Sequence, residues 1–149
     1  MSRLGVYADL VEDVREQGRE TIQVIDAAKG WECRVNPSEV PVRDMFNHAL
    51  KALSEAVENW CLHDSAHFAP SRDPAADLDR TLARVQRALQ GLQDADLDGE
   101  LVLPWGRKTT LGGGLRLFLL HAVGHFAQVR NWAGIKKRAE TKPAAKRGG

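Results

Sequence analysis

Apolar residues recur along this chain at three- and four-residue intervals in four separate stretches, and each stretch predicts an amphipathic helix. The first runs from about Leu4 to Ala28, with Leu4, Tyr7, Leu10, Val11, Val14, Thr21, Ile22 and Ile25 on one face and acids and arginines between them. Gly18 interrupts it at a cost of about 1 kcal/mol relative to alanine, which marks a close approach of another helix. A second helix is predicted from Pro41, whose missing amide proton is harmless in a first turn, to about Trp60. Its buried face is Val42, Met45, Phe46, Ala49, Leu53, Ala56, Val57 and Trp60. Asp73 caps a third helix with Pro74 in its first position, and Leu78, Leu82, Val85, Leu89 and Leu92 form its stripe until it ends between Gly91 and Asp94.

The fourth helix is predicted to start after a cap at Thr110 and to bury Leu115, Phe118, Leu119, Ala122, Phe126, Val129 and Ala133. Gly112, Gly113 and Gly114 weaken its first turn and admit a close neighbour. Before it, Asp98-Gly99 is a turn signal, Leu101 to Leu103 reads as a short extended piece, and Pro104-Trp105-Gly106 breaks it. The fold predicted is all-α: a four-helix bundle with a short irregular or hairpin segment before the last helix. Residues 1–136 make the bundle.

Composition agrees with one domain and adds little else. A chain of 149 residues, 43% hydrophobic and 28% charged, is ordinary for a single globular domain. No run is long enough to span a bilayer, and MSRLGVYADLVEDVREQG lacks the basic start and apolar block of a signal peptide, so a cytoplasmic location without membrane association is expected. Cys33 and Cys61 are too far apart for a CxxC unit and are expected to be reduced thiols. Charge is uneven: Lys136 to Gly149 carries six bases and one acid, leaving a net −4 on the rest of a chain whose total is +1. The segment 137–149 is expected to be a disordered basic tail. The acidic body shows no basic face with interleaved aromatics, so no specific nucleic-acid binding is expected.

Candidate chemistry concentrates in LRLFLLHAVGHFAQVRNWAG, from Leu115 to Gly134. Residues at i and i+4 of a helix differ by about 40° in azimuth and about 6 Å in rise, so His121 and His125 point the same way and can grip one ion. Gln128 follows on that stripe. Two histidines rarely complete a site, because a catalytic metal usually takes three protein ligands and keeps a position open. His48, at the edge of the second helix's apolar face, is the best candidate for the third. A rival pair, His63 and His67, lies near Cys61 in CLHDSAHFAPSRDP. Pro70 and Pro74 crowd that segment, and a short solvated loop is a poor holder of a metal, so surface histidines are expected there.

The segments VPVRDMFNHALKAL and HAVGHFAQVRNWAG resemble the second-helix motif and the HxxxHxxQ motif of the DinB/YfiT-like superfamily of four-helix metalloproteins. The number and order of helices agree, so the resemblance covers most of Leu4 to Gly134. It implies that His48, His121 and His125 are the metal ligands and that Gln128 is a neighbouring polar residue of the pocket. The chain departs from the pattern at Ala127, where many members have Gly, and at Phe126, where many are polar, which makes the pocket more apolar.

The implied cofactor is one divalent transition metal, such as zinc, nickel or iron. The implied activity is that of a metal-dependent enzyme, either a hydrolase or a transferase of a low-molecular-weight thiol, acting on a small-molecule substrate. No carboxylate is obviously placed as a general base; Asp44 and Glu55 flank His48 on its helix, and Glu55 is the better aligned. The alternative is a non-catalytic bundle that works by homodimerisation or partner binding.

Overall fold

The computed structural model describes residues 2–141. Four helices carry it: α1 (Arg3–Ala28), α2 (Val42–Val57), α3 (Pro74–Gln90) and α4 (Leu111–Thr141). A π turn, Glu58–Leu62, prolongs α2, and a short 3-10 turn, Asp94–Asp98, precedes a hairpin of β1 (Glu100–Val102) and β2 (Lys108–Thr110). This is an all-α four-helix bundle with a hairpin before its last helix, as the hydrophobic pattern predicts. Among the described residues, no helix is long and apolar enough to cross a membrane. α4 continues through Thr141, so the start of the segment expected as a basic tail is helical, and 142–149 lies outside the described residues.

Three of the four helices start at a side-chain cap, and α2, which follows Pro41, has none. The Ser2 side chain accepts from the Gly5 amide, and the Asp73 side chain accepts from the Ala76 amide with Pro74 in the first turn. Thr110 Oγ1 accepts from the Gly113 amide at 3.0 Å, which settles one otherwise orphaned donor at the head of α4. Asp94, from the 3-10 turn, accepts from the Arg3 and Leu4 amides at 3.0 Å each, and Asp98 takes both Arg3 guanidinium nitrogens at 2.8 and 2.9 Å. The segment leading into the hairpin is thereby fastened to the start of α1.

Packing decides which helices are neighbours. α1 and α2 each pack against both α3 and α4, which puts α2 beside α4 and diagonally opposite α1. Phe46 of α2 stacks on Phe126 of α4 with ring centroids 5.3 Å apart, and Trp31 meets the same Phe46 edge-on. Below them a second cluster, including Ile25, Val42, Val129 and Trp132, closes the far end of the bundle. Gly18 is the close approach its position suggested: a Cβ there would lie 2.7 Å from Leu78 Cδ2 and 3.2 Å from Phe126 Cε2.

Residues 94–98, expected to be irregular, form the 3-10 turn. The hairpin turns at Pro104 to Arg107, with Gly106 at φ 90°, where the sequence marks a break. Gly99 accepts from the Leu111 amide at 2.8 Å and links the hairpin's base to α4.

Candidate metal centre

His121 and His125 stand on successive turns of α4, at the edge of the apolar face that Phe126, Ala122 and Leu119 bury. The seam between α2 and α4 brings His48 to meet them. One ligand atom from each of the three lies within 4.8 Å of the others. The ring centroids are 5.4 Å apart for His48 and His121, 5.0 Å for His48 and His125, and 4.3 Å for His121 and His125. His48 is exposed and the other two are half-buried, so the cluster opens to solvent on one side. Among the described residues it is the one group of three or more His, Cys, Asp or Glu side chains gathered in this way.

The hydrogen bonds fix the protons. Gln128 Oε1 lies 2.9 Å from His125 Nδ1, and an amide oxygen only accepts, so Nδ1 carries the hydrogen and Nε2 presents a lone pair. That Nε2 is 2.9 Å from His121 Nε2. Without a cation His121 must donate across this contact, which leaves its buried Nδ1 with no protein partner. The two Nε2 atoms that face each other can share that one proton or both offer lone pairs to a cation. Bonds of about 2.0–2.1 Å meeting at about 90° to 110° separate two ligand nitrogens by about 2.8 to 3.4 Å, a range that contains the observed 2.9 Å. Burial, then the neighbouring His125, holds both His48 and His121 below the ordinary imidazole range; for His48 Lys51 adds to this and Glu55 opposes it. Neutral imidazole is the form that ligates. The residues fit a divalent transition metal.

The loop cluster does not assemble. His63 ends the π turn in the left-handed conformation, its amide donating to the Glu58 carbonyl at 2.7 Å. His67 points outward, 81% exposed, with Nδ1 3.3 Å from the buried Glu58 carboxylate. Burial pushes the Cys61 thiol up to about 11, which keeps it protonated and a poor ligand. Of the two carboxylates beside His48, Asp44 is exposed in the first turn of α2. Glu55 faces a cavity of ≈190 Å³ next to the histidines, together with Trp60, Phe118 and Pro104. That cavity is what the sequence did not show, because Phe118 reads as core and Pro104 as a breaker. Trp105 is 61% exposed, and its neighbour Pro104 lines the cavity.

Fold and histidine cluster together define an all-α four-helix bundle with a candidate metal site. Among solved structures the chain is similar to the crystal structure of a DinB family member protein from Shewanella denitrificans, with a TM-score of 0.52 over 96% of this chain and 91% of that one. Sequence identity is 17%, so the likeness speaks for the fold. No protein-family profile matches the sequence, and no curated protein does.

Proposed function

We propose that this protein is a metal-dependent enzyme of the DinB-like fold, with His48, His121 and His125 as ligands to one divalent transition metal and Gln128 as the residue that orients His125. The observation that carries this reading is the convergence of the three imidazoles to within 4.8 Å at an open seam, with the His125 tautomer fixed by Gln128. When bound, the cation would supply Lewis acidity, an undiminished positive charge that polarises a carbonyl and lowers the pKa of a water or thiol. Three neutral ligands leave that charge intact. The exposed side of His48 gives a small molecule access, and the half-exposed Glu55 carboxylate is the nearby group able to accept a proton. The two reactions that suit this arrangement are hydrolysis and transfer of a low-molecular-weight thiol, in the cytoplasm.

Elemental analysis of the purified full-length chain tests the reading, alongside His121→Ala and the double variant His63→Ala, His67→Ala. About one equivalent of a transition metal is expected in the parent, as for any single three-ligand site. It should be lost in the first variant and kept in the second. Loss only in the double variant would move the site to the loop. No metal in any sample, even after reconstitution, would leave a helical interaction domain.

A further inference from the structure

The cavity beside the histidines has a chemical character of its own. Its floor is the α2 face that continues from His48: Ala52 and Ala56, both small, with Glu55 and Asn59 at the rim. Its walls are the rings of Trp60 and Phe118, which meet nearly edge-on with centroids 5.3 Å apart, and Pro104 at the hairpin turn closes the end. Phe118 joins it to the metal centre, since its ring lies 5.9 Å from that of His121.

Two local devices build this shape. The π turn at the end of α2 inserts an extra residue into the helical ladder and carries Trp60 and Asn59 at the cavity; such turns are rare and occur often at functional sites. Gly114 leaves the start of α4 bare, so that Trp60 and Leu101 can close on it; a Cβ there would lie 2.9 Å from Trp60 Cζ3 and 2.5 Å from Leu101 Cδ2.

Size and lining restrict the occupant. At about 30 Å³ for each water-sized group, ≈190 Å³ holds about six of them, which is one aromatic ring with a short substituent. Two aromatic walls and small aliphatic floor residues favour a flat apolar group. At the rim Glu55 is half-exposed and pairs with Lys51 only at 3.9 Å, beyond hydrogen-bond distance, so its carboxylate can still accept from a closer donor. Asn59 adds an amide.

We infer that this cavity is the substrate subsite of the metal centre and that it takes a compact aromatic group bearing an N–H donor, cationic in preference to neutral. The ring lies against Trp60 and Phe118 over the Ala52 and Ala56 floor, the donor nitrogen meets Glu55, and the rest of the molecule extends toward the histidines. The last of these placements rests on the metal-enzyme reading; the first two do not.

Benzamidine and benzyl alcohol, similar in size but differing in charge, are the probes, titrated against the full-length protein as purified while the Trp60 indole N–H resonance is followed by NMR. Benzamidine is expected to shift that resonance and to bind about fivefold more tightly than the alcohol, the scale of a partly exposed ion pair. Ala52→Leu, an exchange of two strong helix formers at a half-buried position, should weaken both probes tenfold or more while metal content stays at the parent value. Glu55→Gln should abolish the difference between the probes. Absence of binding, or binding that Ala52→Leu leaves unchanged, overturns the inference even if the metal is present. Binding that moves Trp60 in a protein without metal would uphold the subsite while the metal reading fails.

Discussion

Gln128 holds His125 by a hydrogen bond of 2.9 Å from Nδ1 to Oε1, one turn apart on the same exposed edge of α4. The bond selects the tautomer whose other nitrogen faces His121. Because Gln128 is exposed and contributes nothing to the core, replacing it tests the site without testing the fold. Gln128→Leu is expected to weaken metal affinity by about tenfold or more, the usual cost of losing such an orienting partner. His121→Ala should abolish stoichiometric binding. Competition against a chelator reads both, and an unchanged affinity in Gln128→Leu would remove it from the site.

Acid should act on the metal-free protein through the same histidines. His48 and His121 titrate below the ordinary imidazole value of 6.5 in the folded state, chiefly because burial disfavours their charged forms. The unfolded chain therefore binds more protons than the folded chain just below 6.5, and stability falls as the pH drops through that window. Above it the contribution is fully restored. Thermal midpoints of chelated protein at about pH 5 and about pH 7.5 should differ in that sense, and the His48→Ala, His121→Ala double variant should flatten the difference. Metal loss on acidification should run the same way, since protons and cation compete for the same lone pairs.

A second acid-sensitive contact lies in the strap between α2 and α3. Arg84 grips both Asp64 oxygens at 2.9 Å, and Arg87 reaches one at 3.1 Å. The Arg84 hydrogen bond above all holds the Asp64 carboxyl down to about 2, from 3.8. The tether is complete above 3.8 and is lost as pH falls toward 2. Asp64→Asn removes the charge at neutral pH. Limited proteolysis should then cut between Asp64 and Ser71 several-fold faster, with metal content unaffected, whereas an unchanged digestion pattern would show that the strap is held elsewhere.

Close approaches at two glycines give the remaining prediction. Gly18→Leu drives a side chain into Leu78 and Phe126, and is expected to cost about 1–3 kcal/mol, the range for overpacking a filled core. A chain of this size loses about 2–4 °C of thermal midpoint per kcal/mol. Gly114→Val should cost less stability, because Trp60 is only half-buried, but should displace that ring and change the tryptophan emission. A midpoint unchanged in Gly18→Leu would mean that α1, α3 and α4 do not approach there as closely as described.

The sequence by itself determined the parts whose physics is local. Helical periodicity placed α1, α3 and the start of α4 nearly to the residue, Asp73, Pro74 and Thr110 marked the starts of α3 and α4, and the i, i+4 spacing alone put His121 and His125 on one stripe. Only the tertiary structure decided what depends on which helix lies beside which. His48 sits on a helix edge that would face any neighbour, and it meets the other two because the stacked Phe46 and Phe126 seat α2 against α4. The hairpin strands, three residues each, are too short to show alternation, so their pairing could not be read from sequence. The cavity was hidden for the same reason: Trp60, Phe118 and Pro104 come from three elements, and a space between elements has no period along the chain.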